Sequence, residues 1–121
     1  MSEVKDIGNL GEYAAAEYLK KNGYSVVERN FRTRFGEIDI IAKDRHYIVF
    51  AEVKTRKSPA FADAREYVDF RKQARLIKTA ELWLASNRTV LQPRFDVLEV
   101  YYGENFEDVR INHISDAFGV R

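Results

Sequence analysis

Two short apolar runs contain the residues best suited to chemistry. Gly36-Glu37-Ile38-Asp39-Ile40-Ile41-Ala42 and Tyr47 to Thr55 read as strands, joined by the turn-forming Lys43-Asp44-Arg45-His46. Such a turn places Asp39 opposite Phe50 and Glu37 opposite Glu52. Alternation then puts Glu37, Asp39, Ile41, Ile48, Phe50, Glu52 and Lys54 on one face, and Ile38, Ile40, Ala42, Tyr47, Val49, Ala51 and Val53 on the other. Both faces are largely apolar, as expected of strands covered by helices on both sides. Only one end of one face is charged. Carboxylates opposite one another on a sheet repel, and burying them without a partner is unfavourable. A divalent cation removes the conflict. Asp39 and Glu52, as diagonal neighbours roughly 7–8 Å apart, could share one ion, and a set of oxygen ligands favours Mg²⁺ or Mn²⁺. Lys54 follows on the same face and could steady an attacking water or the charge developing on phosphorus. The competing reading of the same residues is a surface ion-pair cluster, Glu52 with Lys54.

Supporting positions come from two amphipathic stretches. Glu12 stands at the head of an apolar stripe, Ala15, Ala16 and Leu19, either as a third acidic site member or as a dipole-compensating residue. Gln73 shares a stripe with Ile77, Ala80 and Leu84, and an inward polar residue there needs a partner: a metal-bound water, a phosphate or an ordinary core hydrogen bond. Asp96 interrupts Phe95-Asp96-Val97-Leu98, where an ion pair with Arg94 and a functional role both fit. Basic residues cluster locally. Arg29, Arg32 and Arg34 interleave with Phe31 and Phe35; Lys54, Arg56 and Lys57 extend the third strand; Arg71, Arg75 and Lys78 follow helical spacing on an outer face. Around a carboxylate nest, Arg32, Arg34, Arg56, Arg71, Arg75 and Lys78 suit phosphate-backbone contacts, whereas each cluster alone suits a solvated surface.

These residues need a scaffold to bring them together. A helix is expected from about Asn9 to Asn22, with Gly23 ending it, then a strand over Tyr24–Phe31 and the two strands of the hairpin. About Ser58 to Val68 reads as a mobile loop. A long helix over Phe70–Ser86 starts from Asp69 as N-cap, a strand runs from Arg94 to Tyr102 after Pro93, and a short strand covers Val109–Ile114. The order αβββαββ predicts an α/β fold, a mixed central sheet flanked by helices, in one domain spanning residues 1–121. Lys plus Arg number 20 against 19 Asp plus Glu, net +1, so any nucleic-acid contact is local and salt-sensitive. The absence of cysteine excludes disulfides and thiolate chemistry, and His46 and His113 stand too far apart in sequence to suggest a histidine metal site. Without a membrane-length apolar run or a signal-like start at Met1-Ser2-Glu3-Val4, the chain reads as cytoplasmic, with no membrane partner.

Gly36-Glu37-Ile38-Asp39-Ile40-Ile41-Ala42 with Phe50-Ala51-Glu52-Val53-Lys54-Thr55-Arg56 resembles the YraN family of uncharacterised bacterial proteins, as do Gly8-Asn9-Leu10-Gly11-Glu12 and Arg94-Phe95-Asp96-Val97. That family is similar to the restriction-endonuclease-like PD-(D/E)XK nucleases, particularly archaeal Holliday-junction resolvases. The resemblance implies a restriction-endonuclease-like fold. It also implies a Mg²⁺- or Mn²⁺-dependent nuclease site with Asp39 and Glu52 as the acidic pair, Lys54 as the motif lysine, Glu12 as the first-helix glutamate and Gln73 on the second helix. Ile38 stands where the superfamily carries Pro. The implied substrate is nucleic acid, DNA above all and branched or damaged forms within it, and a resolvase-like role implies a homodimer. Superfamily membership does not fix function. A nucleic-acid-binding module that keeps the fold without turnover is the alternative, and a structural protein with an acidic salt-bridge network is a third reading.

Overall fold

The computed structural model of the chain describes residues 3–57 and 69–119, so the segment read as a mobile loop, about Ser58 to Val68, lies outside the described residues. The first helix, α1 (Glu3–Lys21), starts ahead of the expected Asn9 and ends as its sequence requires. Gly23 takes φ 90, and the N–H groups of Gly23 and Tyr24 donate to the Lys20 and Leu19 carbonyls at 3.3 and 2.9 Å. Only glycine accepts that left-handed backbone freely. Strands β1 (Ser25–Thr33), β2 (Gly36–Lys43) and β3 (Tyr47–Lys57) follow, then α2 (Phe70–Ser86), β4 (Gln92–Tyr102), a short 3₁₀ turn (Glu104–Phe106) and β5 (Arg110–Phe118). Asp69 caps α2 as expected, its carboxylate accepting the Lys72 N–H at 2.9 Å. Both β4 and β5 outrun the expected strands: β4 already includes Pro93 near its start, where a missing N–H is tolerated, and β5 continues past Ile114 to Phe118.

One five-stranded sheet runs in the order β1-β2-β3-β4-β5. Its neighbours are antiparallel except β3 and β4, which are parallel and joined through the segment containing α2. Ala15, Ala16 and Leu19 of α1 bury against Ile40, Ala42, Val49, Ala51, Leu98 and Val100 on one face of the sheet. Leu76, Ala80 and Trp83 of α2 bury against Ile38, Ile41, Ile48, Phe50, Phe95 and Val97 on the other. Both faces of the hairpin are therefore covered. Trp83 meets Phe50 edge-on at 5.8 Å, and its indole N–H donates to Glu28 at 2.9 Å, which satisfies its one polar atom. No helix among the described residues is long and apolar enough to cross a membrane.

The hairpin departs from expectation in two respects. Asp44 closes the turn by accepting the His46 and Tyr47 N–H groups at 2.9 and 2.8 Å, and pairing begins at Lys43–Ile48. Ile41 therefore faces Phe50 and Ile40 faces Ala51, a two-residue slip from the expected register that leaves the parity of the faces intact. The second departure is a break in alternation. Ile38 packs with Ile41 and Phe50 on the α2 side, while Ile40 packs on the α1 side. Asn30, at φ 57, sits between the β1 residues paired with Ile38 and Ile40, so the break crosses both strands at the level of Asp39. Asparagine is among the few residues that tolerate this backbone.

Candidate active site

Ladder pairing between β2 and β3 extends only to Ile40–Ala51. Beyond it, the Val53 N–H donates instead to the Asp39 carboxylate at 2.8 Å. The side chain thus takes up a β3 donor at the point where the two strands part, and the carboxylate is fixed by backbone. Asp39 is half-buried, and its pKa is pushed up from 3.8 to about 7. Burial is the main cause; the nearby Glu52 charge adds to it, with smaller contributions from Glu12 and Glu37, while the Val53 hydrogen bond pulls the other way.

The other carboxylates at this end each have a cation. Glu52, nearly buried at 8% exposure, accepts the Lys72 ammonium at 2.7 Å. That hydrogen bond holds the Lys72 pKa above its ordinary value. Arg29 lies 3.4 Å from Glu12, and Arg32 lies 3.2 Å from Glu37. With the Asn30 amide turned so that its nitrogen donates, it reaches both Glu12 and Glu37, at 3.2 and 2.9 Å. Asp39 makes no ion pair or hydrogen bond with a basic side chain among the described residues, although its charge also acts on the Lys72 ammonium.

The structure brings Asp39 and Glu52 together as expected and modifies the rest of the set. Glu37 leaves the face of Glu52 because alternation breaks at Asp39, and it joins Glu12, Asn30 and Arg32 instead. Glu12 approaches the strands because Gly11 lies against Thr55 with no room for a side chain of its own. Its carboxylate nevertheless pairs with Arg29. Among the described residues no three His, Cys, Asp or Glu side chains converge closely enough to hold a metal ion, so the expected trio of Asp39, Glu52 and Glu12 reduces to a pair. Two carboxylates remain compatible with Mg²⁺, which commonly takes one or two, with waters and phosphate oxygens completing the shell.

Lys54 follows Glu52 along β3 and makes no hydrogen bond or ion pair among the described residues. Across the parallel register it neighbours Glu99, which is 1% exposed and accepts from Asn112 at 2.8 Å. Gln73 is half-buried on α2, one turn before Leu76. Arg71, Arg75 and Lys78 are exposed, as read from the sequence. Arg34 and Lys78 both lie against the Phe35 ring, at 5.1 and 5.7 Å from its centre, so two of the expected phosphate contacts share an aromatic support. Arg56 is half-buried on β3.

Asp96 is structural. Fully buried, it accepts two hydrogen bonds from Arg94 at 2.9 and 2.8 Å, the Asp116 N–H at 3.0 Å, and lies 2.7 Å from His113 Nε2. Burial works against its charge, but the bonds from His113, Arg94 and Asp116 outweigh it and hold the pKa below the usual carboxylate range. Arg94 also donates to the Tyr24 hydroxyl at 2.7 Å and stacks on Tyr47 at 4.5 Å.

Sequence reasoning missed Lys72, Asn30 and Glu99. Lys72 carried a usable signal: it heads the stripe Lys72, Leu76, Thr79 and Trp83, whose last three members are buried. Asn30 and Glu99 carried none beyond their types.

Fold and site together define a mixed α/β protein with an acidic–basic centre at the opening between two central strands. The family model of the uncharacterised protein family UPF0102 matches residues 11–100, and the chain belongs to that family, which is the YraN family of the sequence resemblance. It is 47% identical over 116 residues to a UPF0102 protein of Caldanaerobacter subterraneus subsp. tengcongensis, covering 94% of this chain and 95% of that one. It is 45% identical over 118 residues to a UPF0102 protein of Clostridium botulinum strain 657, covering 96% of each.

Proposed function

We propose that this protein is a metal-dependent nuclease that hydrolyses phosphodiester bonds in DNA, branched or damaged forms included, with Mg²⁺ or Mn²⁺ as cofactor. The observation that carries this reading is Asp39, which forms no ion pair among the described residues and whose pKa burial and the neighbouring Glu52 push up to about 7. A centre in which one half-buried carboxylate lacks an ion-pair partner among the described residues is suited to a cation. The donor chemistry fits a hard ion, since Asp39 and Glu52 offer only oxygen. A divalent ion held by these two residues supplies a Lewis acid for a phosphate oxygen and a more acidic bound water.

The chain's own residues do the rest. Val53 fixes the Asp39 carboxylate before any ligand arrives, so little ordering remains to be done on binding. Lys54, which makes no hydrogen bond or ion pair among the described residues, offers its ammonium two residues from Glu52 for the negative charge that builds up on phosphorus. Gln73 stands on the helix that also supplies Lys72, where its amide would orient a water or a phosphate oxygen. Glu12 holds Arg29 and, through Asn30, Glu37, which braces the same end of the sheet. Arg32, Arg34, Arg56, Arg71, Arg75 and Lys78 give the phosphate backbone its contacts. Resolvase-like cutting of two strands would take two copies of the chain.

A non-catalytic nucleic-acid-binding module is the second reading, favoured by one observation: Lys72 already neutralises Glu52 without a metal. Linear, nicked, flapped and four-way DNA incubated with Mg²⁺ or Mn²⁺ separates the two. Metal-dependent cleavage by the wild type, lost in Glu52→Gln and in Lys54→Ala, is the expected result. Lys54→Ala should keep its ion uptake, because an ammonium is not a ligand. DNA binding without cleavage in either ion assigns the module; neither binding nor cleavage refutes both readings.

A further inference from the structure

We infer that Lys72 is the resident counter-ion of Glu52, a built-in cation that a divalent ion must displace to enter the site. The inference rests on the ion site proposed above. Its geometric basis is the 2.7 Å contact between the Lys72 ammonium and Glu52 Oε2. The two partners are unequally fixed: the Glu52 side chain is 9% exposed and that of Lys72 is 48% exposed. The carboxylate belongs to a central strand, whereas the ammonium reaches it on a long flexible stem from the solvent side. One partner can leave without disturbing the core.

A second, independent observation is where Lys72 sits in its helix. It lies in the first turn of α2, with Asp69 capping its N–H, and that turn contains no acidic residue. A cation there opposes the helix dipole, and its ordinary place is the other end. The dipole disfavours Lys72 there, the Asp69 charge offsets this only in part, and the ammonium is well placed for Glu52. An empty carboxylate pair on adjacent central strands would repel, and Lys72 relieves that conflict by pairing with Glu52 while its charge also acts on Asp39. A divalent ion taken up by Asp39 and Glu52 would compete with Lys72 for the Glu52 carboxylate. The ammonium it ejects becomes a free cation on the helix that also presents Arg71, Arg75 and Lys78. Ion entry thereby adds a positive charge to the surface proposed to meet phosphates.

Calorimetric titration of Mn²⁺ into the wild type, Lys72→Met, Lys72→Gln and Lys72→Arg, all without nucleic acid, tests this directly. Thermal melts establish that each variant is folded. Removing the competitor should tighten Mn²⁺ binding roughly three- to tenfold in Lys72→Met and Lys72→Gln, the worth of one partly exposed ion pair. Lys72→Arg keeps the charge and should stay within about twofold of the wild type. Unchanged or weaker binding in Lys72→Met and Lys72→Gln overturns the inference while the ion site stands. Equal tightening in Lys72→Arg overturns it too, because charge would not be the cause. No Mn²⁺ uptake in the wild type or any variant removes the ion site and the inference together.

Discussion

Replacing Asp39 by Asn should remove a pH-dependent weakness from the fold. The wild-type carboxyl has a pKa near 3.8 when exposed and about 7 in the folded protein. Below the lower value both states are neutral and Asp39 contributes no penalty. As pH rises from there, the unfolded chain releases its proton while the folded chain keeps it, so stability falls, and the fall levels off above about 7. The interval corresponds to roughly a thousandfold difference in proton affinity, an upper figure of ~4 kcal/mol at about 1.4 kcal/mol per tenfold. Because Asp39 shares its burden with Glu52, about 2–4 kcal/mol is the range to look for. Asparagine keeps an oxygen for the Val53 N–H and nearly the same volume, and it does not ionise. Urea unfolding in EDTA between pH 4.5 and 8.5 measures the effect. Wild-type stability should decline across that interval relative to Asp39→Asn, and the variant should be the more stable protein at pH 8. Added Mn²⁺ should restore the wild type at pH 8 and leave Asp39→Asn unchanged, since a ligand stabilises only the state that binds it. Parallel pH profiles for the two proteins, or a variant less stable at pH 8, would refute the assignment of Asp39 as a carboxyl whose ionised form the fold disfavours.

Other consequences follow from the same coordinates. Replacing Arg71, Arg75 and Lys78 together by Ala should weaken DNA binding regardless of sequence and flatten its salt dependence, with little change in stability because all three are exposed; unchanged affinity in an anisotropy titration would make the patch a solvated surface. A methyl at Gly11 would lie 2.9 and 3.0 Å from Thr55 Cγ2 and Cβ, so Gly11→Ala should lose about 1–3 kcal/mol, and Thr55→Ala in the same chain should recover part of it in chemical denaturation. Arg94→Ala strips the buried Asp96 of its two-pronged partner and should cost about 3–5 kcal/mol in denaturant melts without altering ion uptake; reduced Mn²⁺ affinity in a variant that remains folded would mean that Asp96 serves the site.

What could be read from the sequence depended on the range of the interaction. The faces of β3 and of β2 from Ile40 onward follow from period-two alternation, the end of α1 follows from Gly23 and the start of α2 from Asp69, all local rules. Register depends on how a turn closes. The Asp44 side chain accepts two N–H groups and moves the closing pair to Lys43–Ile48, which a count of turn residues does not reveal. The second helix shows a related error of rotation. Its buried line runs through Leu76, Thr79, Ala80 and Trp83, while Ile77 and Leu84 of the expected stripe are only half-buried. With the stripe turned, Lys72 comes to head it, and the ion pair to Glu52 becomes visible. The Asp96 cluster was half legible: Arg94 shares its face two residues away, but His113 and Asp116 arrive from a strand whose pairing shifts between Phe95 and Val97.

The break at Asp39 carries the most information because local rules fail there on both strands at once. Regular alternation would have placed Ile38 beside Ile40 and continued the β2–β3 ladder past Ala51. Instead Asn30 adopts a left-handed backbone and the Asp39 side chain takes the N–H of Val53. Each of these is unfavourable or neutral for folding: a non-glycine residue at positive φ, and a carboxylate moved out of water. Among the described residues three neighbouring carboxylates form ion pairs and Asp39 forms none, although Arg29, Arg32 and Lys72 show that the sequence readily supplies cations at this end. A fold selected for stability alone would have placed an apolar residue or a base beside Asp39. Local strain and an uncompensated charge retained at one point are expected where binding, not folding, sets the residue. That physical asymmetry, independent of any family likeness, is the ground on which the proposed ion site rests.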